Sequence, residues 1–356
     1  MSVIIFILIL ALLVLVHEFG HFIAAKKAGV LVEEFGIGFP PRIFGVKIGE
    51  TLYSLNIIFL GGFVKLYGEE YKETANKKEE HLTKRAFSHK KPFAKAFIVV
   101  CGVIGNFLLG WILVSYLFTQ GVPTPTNHVV VESVQKNTPA QAAGLQESDV
   151  ILELKTDNKT YRLTSANALI NLTKQLEGQN INLVVLRDNK ELVINLTPRK
   201  NPPAGQGPLG VVITSYMTKK YTWYQAPISG LIESFSITRQ IVTQLVQTVL
   251  QFVTLKKTNV DVTGPIGIAQ YTGQAIKLGK DAVLELIALL SLNLAVINIL
   301  PFPALDGGKL VFVVYEWITK KRVNQTIENY TNLVGIVILL TLAILVSIHD
   351  IMKIYK

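Results

Sequence analysis

The stretch His17-Glu18-Phe19-Gly20-His21 decides how this chain is read. It ends an uncharged, apolar run that begins at Val3, and such a run predicts a helix crossing a bilayer. Ionisable groups at that depth are costly, so they mark function by default. On a helix, residues four apart share one face, about 6 Å apart along the axis. His17 and His21 can therefore hold one metal ion together. Glu18 projects about 100° round the helix, beside a water on that ion.

Composition agrees with a membrane setting. The 356 residues are 50% hydrophobic, and the mean hydropathy of +0.40 predicts several spans mixed with polar domain sequence. The formal charge of +10 raises the question of nucleic acid. The basic residues flank apolar runs, however: Lys26 and Lys27, then Lys90, Lys91 and Lys95, then Lys320, Lys321 and Arg322. That pattern orients spans and contacts lipid headgroups, and no nucleic-acid partner is expected. The single cysteine, Cys101, excludes an intrachain disulfide and a cysteine-based zinc site. The first run lacks a basic start and a small-residue cleavage site, so it is expected to be retained rather than removed as a signal peptide.

Working outward, four spans are expected: 3 to 25, Phe93–Phe118, Ala282–Leu300 and a last one centred on Leu333–Ile348. Between the first two, residues 36–68 alternate Gly/Pro with β-formers and read as short strands divided by turns, a hairpin dipping into the membrane face. The charged segment from Glu69 to Lys91 reads as an exposed loop. Residues 127–200 are soluble in composition, with strands such as Val129-Val130-Val131 and a helix near Ser165–Leu176. Residues 201–281 read as a linker followed by an amphipathic helix, 226–255, lying on the membrane or packed on the bundle. The expected domains are thus 1–126 and 282–356 as two membrane halves, with 127–200 and 201–281 between them. The positive-inside bias puts both basic loops in the cytoplasm, and both termini and the soluble domain outside it. His17 then falls about 21 Å along the first helix, nearer the cytoplasmic face.

Two histidines need a third ligand. The candidate lies in Asn298-Ile299-Leu300-Pro301-Phe302-Pro303-Ala304-Leu305-Asp306-Gly307-Gly308. The prolines end the span, and the glycines let the chain turn the Asp306 carboxylate inward. Asp306 either binds the metal or caps the helix after the turn.

HEFGH in a first span and NILPFPALDGG in a later one together resemble the site-2 protease family of intramembrane zinc metalloproteases, closest to its bacterial RseP/RasP-like branch. GIGFPPRIFG and LGGFVKLYGEE are similar to that branch's membrane-associated β-region, and Gly264-Pro265-Ile266-Gly267-Ile268-Ala269 to its GPI stretch, so the likeness covers nearly the whole chain. Residues 127–200 resemble one PDZ domain through Val134–Ile151, with Ser148 where the family usually has Gly. The resemblance implies a polytopic α-helical membrane protein of about four transmembrane helices, a membrane-associated β-hairpin region and one extracytoplasmic PDZ (α+β) domain. It implies one catalytic Zn2+ held by His17, His21 and Asp306, with Glu18 as general base.

Asn298 is the candidate oxyanion donor or substrate contact, with a helix-to-helix hydrogen bond as its other reading; Asn293 is the structural one of the pair. Tyr53, Leu55 and Ile57 are candidates to pair with an unwound substrate. Ala143, Gly144 and Leu145 are the groove candidates of the PDZ module, which either takes an extended peptide or blocks access by size. The expected activity is cleavage of transmembrane segments of single-span proteins, anti-sigma factors or remnant signal peptides, in regulated intramembrane proteolysis at a bacterial cell membrane, after an upstream site-1 protease. Competing readings are a membrane-anchored PDZ scaffold with a structural zinc and an ion transporter; the base beside the metal argues against the first, and the lack of inverted repeats against the second.

Overall fold

A computed structural model describes residues 2–69, 80–203, 205–254 and 263–354. The middle of the charged segment expected as a loop (residues 70–79) and Leu255, the last residue of the expected helix 226–255, lie outside the described residues. The chain divides into two compact units, one of residues 1–117 and 223–356, the other of residues 118–222.

Among the described residues of the first unit, four helices are long and apolar enough to cross a membrane. They are α1 (Ser2–Lys27), α3 (Pro92–Gln120), α8 (Lys280–Ile299) and α10 (Gln325–Ile354), the four expected. Each lacks interior charge over most of its length, so nothing opposes its transfer into hydrocarbon. Between α1 and α3 lie β1 (Val32–Ile48), β2 (Thr51–Leu66) and the single turn α2 (Glu80–Thr83).

The β-region differs from the short strands expected. Two long antiparallel strands bend and fold over each other. Gly36-Ile37-Gly38-Phe39 does not end a strand; it lies within β1, where Gly38 at φ +79° permits a bend. Glu34–Ile37 pairs with Gly62–Lys65 on one side and with Leu52–Leu55 on the other, and Leu52–Asn56 also pairs with Arg42–Lys47. Four segments therefore lie side by side in the order 62–66, 32–37, 51–56, 42–48. Among the described residues no strand pairs with the outer edge of the first. The last exposes Ile43, Phe44, Val46 and Ile48. Thr51 donates from Oγ1 to the Val32 carbonyl, and the Asn56 amide donates to the Gly38 carbonyl, fixing the fold-over from within.

The amphipathic segment forms α6 (Ala226–Val253), which packs on the bundle. Trp111 Nε1 donates to the Pro227 carbonyl at 2.8 Å, and the Phe107 and Phe235 rings lie 4.9 Å apart. Two further helices follow a rule visible in sequence, a Pro or Asp opening the first turn: α7 (Pro265–Leu278) and α9 (Asp306–Thr319). The N-terminus of α7 is capped from a distance: the buried Asp350 carboxylate of α10 accepts from the amides of Gly264 and Gly267.

The second unit is a sheet in the order β7-β6-β4-β3-β8, with β5 paired to β4. Its strands are β3 (Val122–Val134), β4 (Val150–Lys155), β5 (Thr160–Arg162), β6 (Ile181–Arg187), β7 (Lys190–Leu196) and β8 (Val211–Lys219). The short helix α4 (Pro139–Ala142) and α5 (Ala166–Gln175) complete it. The core is the inward alternation of Val129, Val131, Ile151, Leu154, Leu183 and Val185, closed by Leu163 and Leu169. This unit is wider than the expected 127–200. Residues 211–219, expected as linker, are the edge strand β8, because Val211-Val212-Ile213 continues the β-former pattern past the Gly/Pro turn.

Candidate metal centre and its cleft

The metal-ligand candidates come from two places that the fold joins. His17 and His21 lie on one face of α1, and their rings meet edge to face with centroids 4.7 Å apart. Asp306 is the first residue of α9, just after the corner Leu300–Leu305. That corner is tight. A Cβ at Gly307 would strike the Ile299 and Leu300 carbonyls, and one at Gly308 the Phe302 carbonyl. Both positions therefore need glycine, and the sequence provides it. From the other side α10 braces the corner, with Gly335 against the Pro303 carbonyl and the Asn332 side-chain oxygen accepting from the Ala304 amide.

His17 Nε2 and His21 Nε2 lie 2.8 Å and 3.1 Å from Asp306 Oδ2, and 3.1 Å from each other. Tetrahedral zinc with bonds of about 2.0–2.1 Å holds its ligand atoms about 3.3 Å apart. The triangle has nearly that size. Protonation also fits. His21 Nδ1 lies 2.9 Å from the Ile98 carbonyl and donates to it. A neutral His21 then turns the Nε2 lone pair toward the carboxylate, an arrangement that a cation between them makes favourable.

His17 is oriented from two helices. The side-chain amides of Asn106 on α3 and Asn298 on α8 lie 3.4 Å from its Nδ1. With the Asn106 nitrogen toward the ring, its buried Oδ1 has no partner. In the opposite amide rotamer the oxygen accepts from Nδ1–H, which leaves Nε2 unprotonated for a metal, and the NH2 takes the partnerless position. Asn106 is held in turn where its own carbonyl accepts from Ser291 Oγ, 2.8 Å away.

Close helix contact makes the convergence possible. Gly20 of α1 lies against the Cys101 carbonyl of α3, and Gly105 against the Val16 carbonyl. A Cβ at Gly102 would run into the His21 ring. Small residues at such contacts let helix backbones approach in a membrane.

A cavity of about 230 Å³ opens on this centre. Glu18, His21, Asp306, Glu69 and Lys309 are its polar lining. Phe63, Val64 and Leu66 of β2, with Ile98 and Val99 of α3, supply apolar lining. Glu18 thus faces the same space as the candidate ligands.

Of the residues singled out from sequence, His17, Glu18, His21, Asp306 and Asn298 come together. Asn293 does not; it lies five residues earlier on α8, about 140° round the helix from Asn298. Tyr53 and Leu55 sit on the segment paired on both sides, and the Tyr53 ring packs 6.0 Å from Phe22 of α1. Ile57 is exposed at the bend. An interior strand has no vacant edge, so Tyr53 and Leu55 cannot receive a substrate strand while the sheet is intact, and Ile57 lies outside the paired register; among the described residues no strand pairs with the outer edge of Gly62–Leu66. In the second unit Ala143-Gly144-Leu145 forms a turn, with Leu145 in the core and the Gly144 carbonyl accepting from Arg187. Asn106, Glu69 and Lys309 were not singled out. Asn106 carried a readable signal, the lone amide in an apolar span four residues from a glycine; Lys309 carried another, one helical turn after Asp306.

Converging imidazoles and a carboxylate beside apolar helices, with a second carboxylate in the adjoining cleft, are the donor set that a membrane metallohydrolase needs. Residues 5–342 match the model of peptidase family M50, and the chain belongs to that family. It is accordingly a site-2-type zinc metalloprotease and a bacterial membrane protein. A Clostridium perfringens protein, provisionally named a zinc metalloprotease, is 35% identical over 99% of this chain and 98% of its own length. A similarly named protein of Clostridium acetobutylicum is 31% identical over 98% and 97%. Zinc metalloprotease RasP of Bacillus licheniformis is 29% identical over 99% of both chains.

Proposed function

We propose that this protease cleaves transmembrane segments of single-span membrane proteins, with His17, His21 and Asp306 as its zinc ligands and Glu18 as general base. The observation that carries the reading is the cleft shared by Glu18, His21 and Asp306 and walled by Phe63, Val64 and Leu66 of β2. Zinc bound there supplies Lewis acidity, which polarises a peptide carbonyl and acidifies a water. Glu18 takes the proton of the attacking water and passes it to the departing amine. Asn298, at His17, is placed to donate to the carbonyl oxygen as its charge develops. The His21–Ile98 and His17–Asn106 contacts keep both rings in register.

An intact helix hides its scissile carbonyl in its own hydrogen bonds, so a substrate must unwind. Gly62–Leu66 has one edge paired to β1 and no described strand on the other, and an extended segment added there would run past Glu18. That replaces Tyr53, Leu55 and Ile57 as the pairing strand. The apolar arm Ile43–Ile48 would rest in the bilayer, since it leaves large hydrophobic side chains uncovered. The basic loops favour a cytoplasmic centre, with both termini and the 118–222 unit outside. That unit reads as a PDZ-like module whose peptide strand would add to β8, the sheet edge beside which α5 packs. Anti-sigma factors and remnant signal peptides, shortened by an upstream site-1 protease in regulated intramembrane proteolysis, are the substrates that this arrangement suits.

Glu18→Gln tests the reading. It is expected to bind zinc and fold as the parent does, yet fail to cleave a model transmembrane peptide and instead retain it. Undiminished cleavage would remove the mechanism. A scaffold with structural zinc predicts no cleavage by the parent chain either.

A further inference from the structure

We propose that Glu69 and Lys309 form a latch that fixes the outer edge of β2 beside the metal centre, making both positioning residues for the substrate strand. The inference rests on the reading that Gly62–Leu66 receives that strand. Lys309 Nζ and Glu69 Oε1 lie 2.7 Å apart, joining residues 240 positions apart in sequence. Glu69 follows Leu66, the last residue of β2, by three positions, and Lys309 follows Asp306 by one helical turn. Both line the cavity that Glu18, His21 and Asp306 share.

The surroundings give the pair a mechanical role. The end of β2 is tied by backbone bonds to the segments between α1 and β1 and before α3: the Tyr67 amide donates to the Leu31 carbonyl, the Phe87 amide to the Tyr67 carbonyl and the Ser88 amide to the Gly68 carbonyl. Glu69 supplies the tie to α9. That helix is itself anchored, because Glu316 pairs at 2.7 Å with Lys95 of α3, whose side chain is buried. The strand edge is thus fastened to a helix whose first residue is Asp306, so edge and metal centre share one frame. Lys309 also feels the charges of Asp306 and Glu18. Glu69, in direct contact with the ammonium, competes with both for it.

The test is a double-mutant cycle in the full chain, with Glu69→Gln, Lys309→Gln and the pair together, read by KM, kcat and zinc content. Both side chains are partly exposed, so the effect is moderate. Each single change is expected to raise KM roughly fivefold with one zinc retained. The double variant should be no worse than either single, and Lys309→Arg should keep most of the parent KM. Additive losses, unchanged KM, or loss of zinc from the singles would overturn the latch. In parallel, Lys65→Cys in a Cys101→Ala background is cross-linked to cysteines placed along a substrate. Cross-links with the latch intact support strand addition. Coupling in the cycle without any cross-link would make the pair an ordinary structural tie and refute the positioning role.

Discussion

Replacing Gly102 with alanine leaves every candidate ligand in place and should still damage the metal centre. A Cβ at Gly102 would lie 2.9 Å from His17 Cε1, and nearer still to Cε1 and Nε2 of His21. Carbon atoms in ordinary contact sit about 3.5–4.0 Å apart. Either the rings withdraw by roughly 1 Å or α1 and α3 separate by as much. The ligand atoms now span 2.8–3.1 Å, whereas metal–ligand distances tolerate only about ±0.2 Å. The displacement therefore exceeds the tolerance several-fold. Zinc affinity should fall by at least the roughly 10–100-fold seen when partners of ligands are lost, about 1.4–2.8 kcal/mol. Helix propensity acts in the opposite direction, since alanine is favoured over glycine by about 1 kcal/mol in a helix interior. Folding should survive while metal binding does not. The assay is zinc titration against a chromophoric chelator in detergent, with helicity followed by circular dichroism. Gly207→Ala, at a position with open space, is the control. A Gly102→Ala protein that held zinc with the parent's affinity would refute the close-packing account.

Asp350→Ala should leave the Gly264 and Gly267 amides without their acceptor and lower stability by about 1–3 kcal/mol, read as a fall in thermal midpoint in detergent. Asp149, fully buried, pairs with Arg187 at 2.6 Å; Arg187→Ala should cost the 118–222 unit about 3–5 kcal/mol, seen as its earlier unfolding in urea. Glu50, in the β1–β2 turn, is bound first by Arg85 and then by Lys26, which together hold its carboxyl down from 4.5 to about 2. Because the folded pKa is depressed, the stabilisation is complete above 4.5 and is lost as pH falls toward 2. Amide exchange in the turn should quicken over that window in the parent, and Glu50→Gln should abolish the dependence; solvent screening keeps the effect small.

The spans are legible because long uncharged apolar runs satisfy the bilayer, and the candidate triad because its members break that rule. His17, His21 and Asp306 are ionisable groups at the ends of apolar runs, and such placement has few explanations. Two parts of the fold were less visible. Glycine and proline near Phe39 suggest a turn, yet Gly38 bends a continuing strand, and local signals do not distinguish an ended strand from a bent one. Tyr53 and Leu55 looked free because strand order within a folded-over hairpin depends on long-range pairing. The Gly/Pro composition of Asn201–Pro208 reads as a linker, so composition alone hides β8, whose pairing with β3 is long-range. Asn106 and Lys309 act through partners on other helices, so their roles emerge only when α1, α3 and α9 are assembled.

The central claim is that His17, His21 and Asp306 together hold one zinc ion. X-ray absorption at the zinc edge, on the purified parent and on Asp306→Ala, tests it most directly. The account predicts two imidazoles and oxygen ligands at about 2.0–2.2 Å with no sulfur in the parent, and a lost or weakly held ion in the variant. A sulfur ligand at about 2.3 Å, which would implicate Cys101, or an identical spectrum after removal of Asp306, would contradict it.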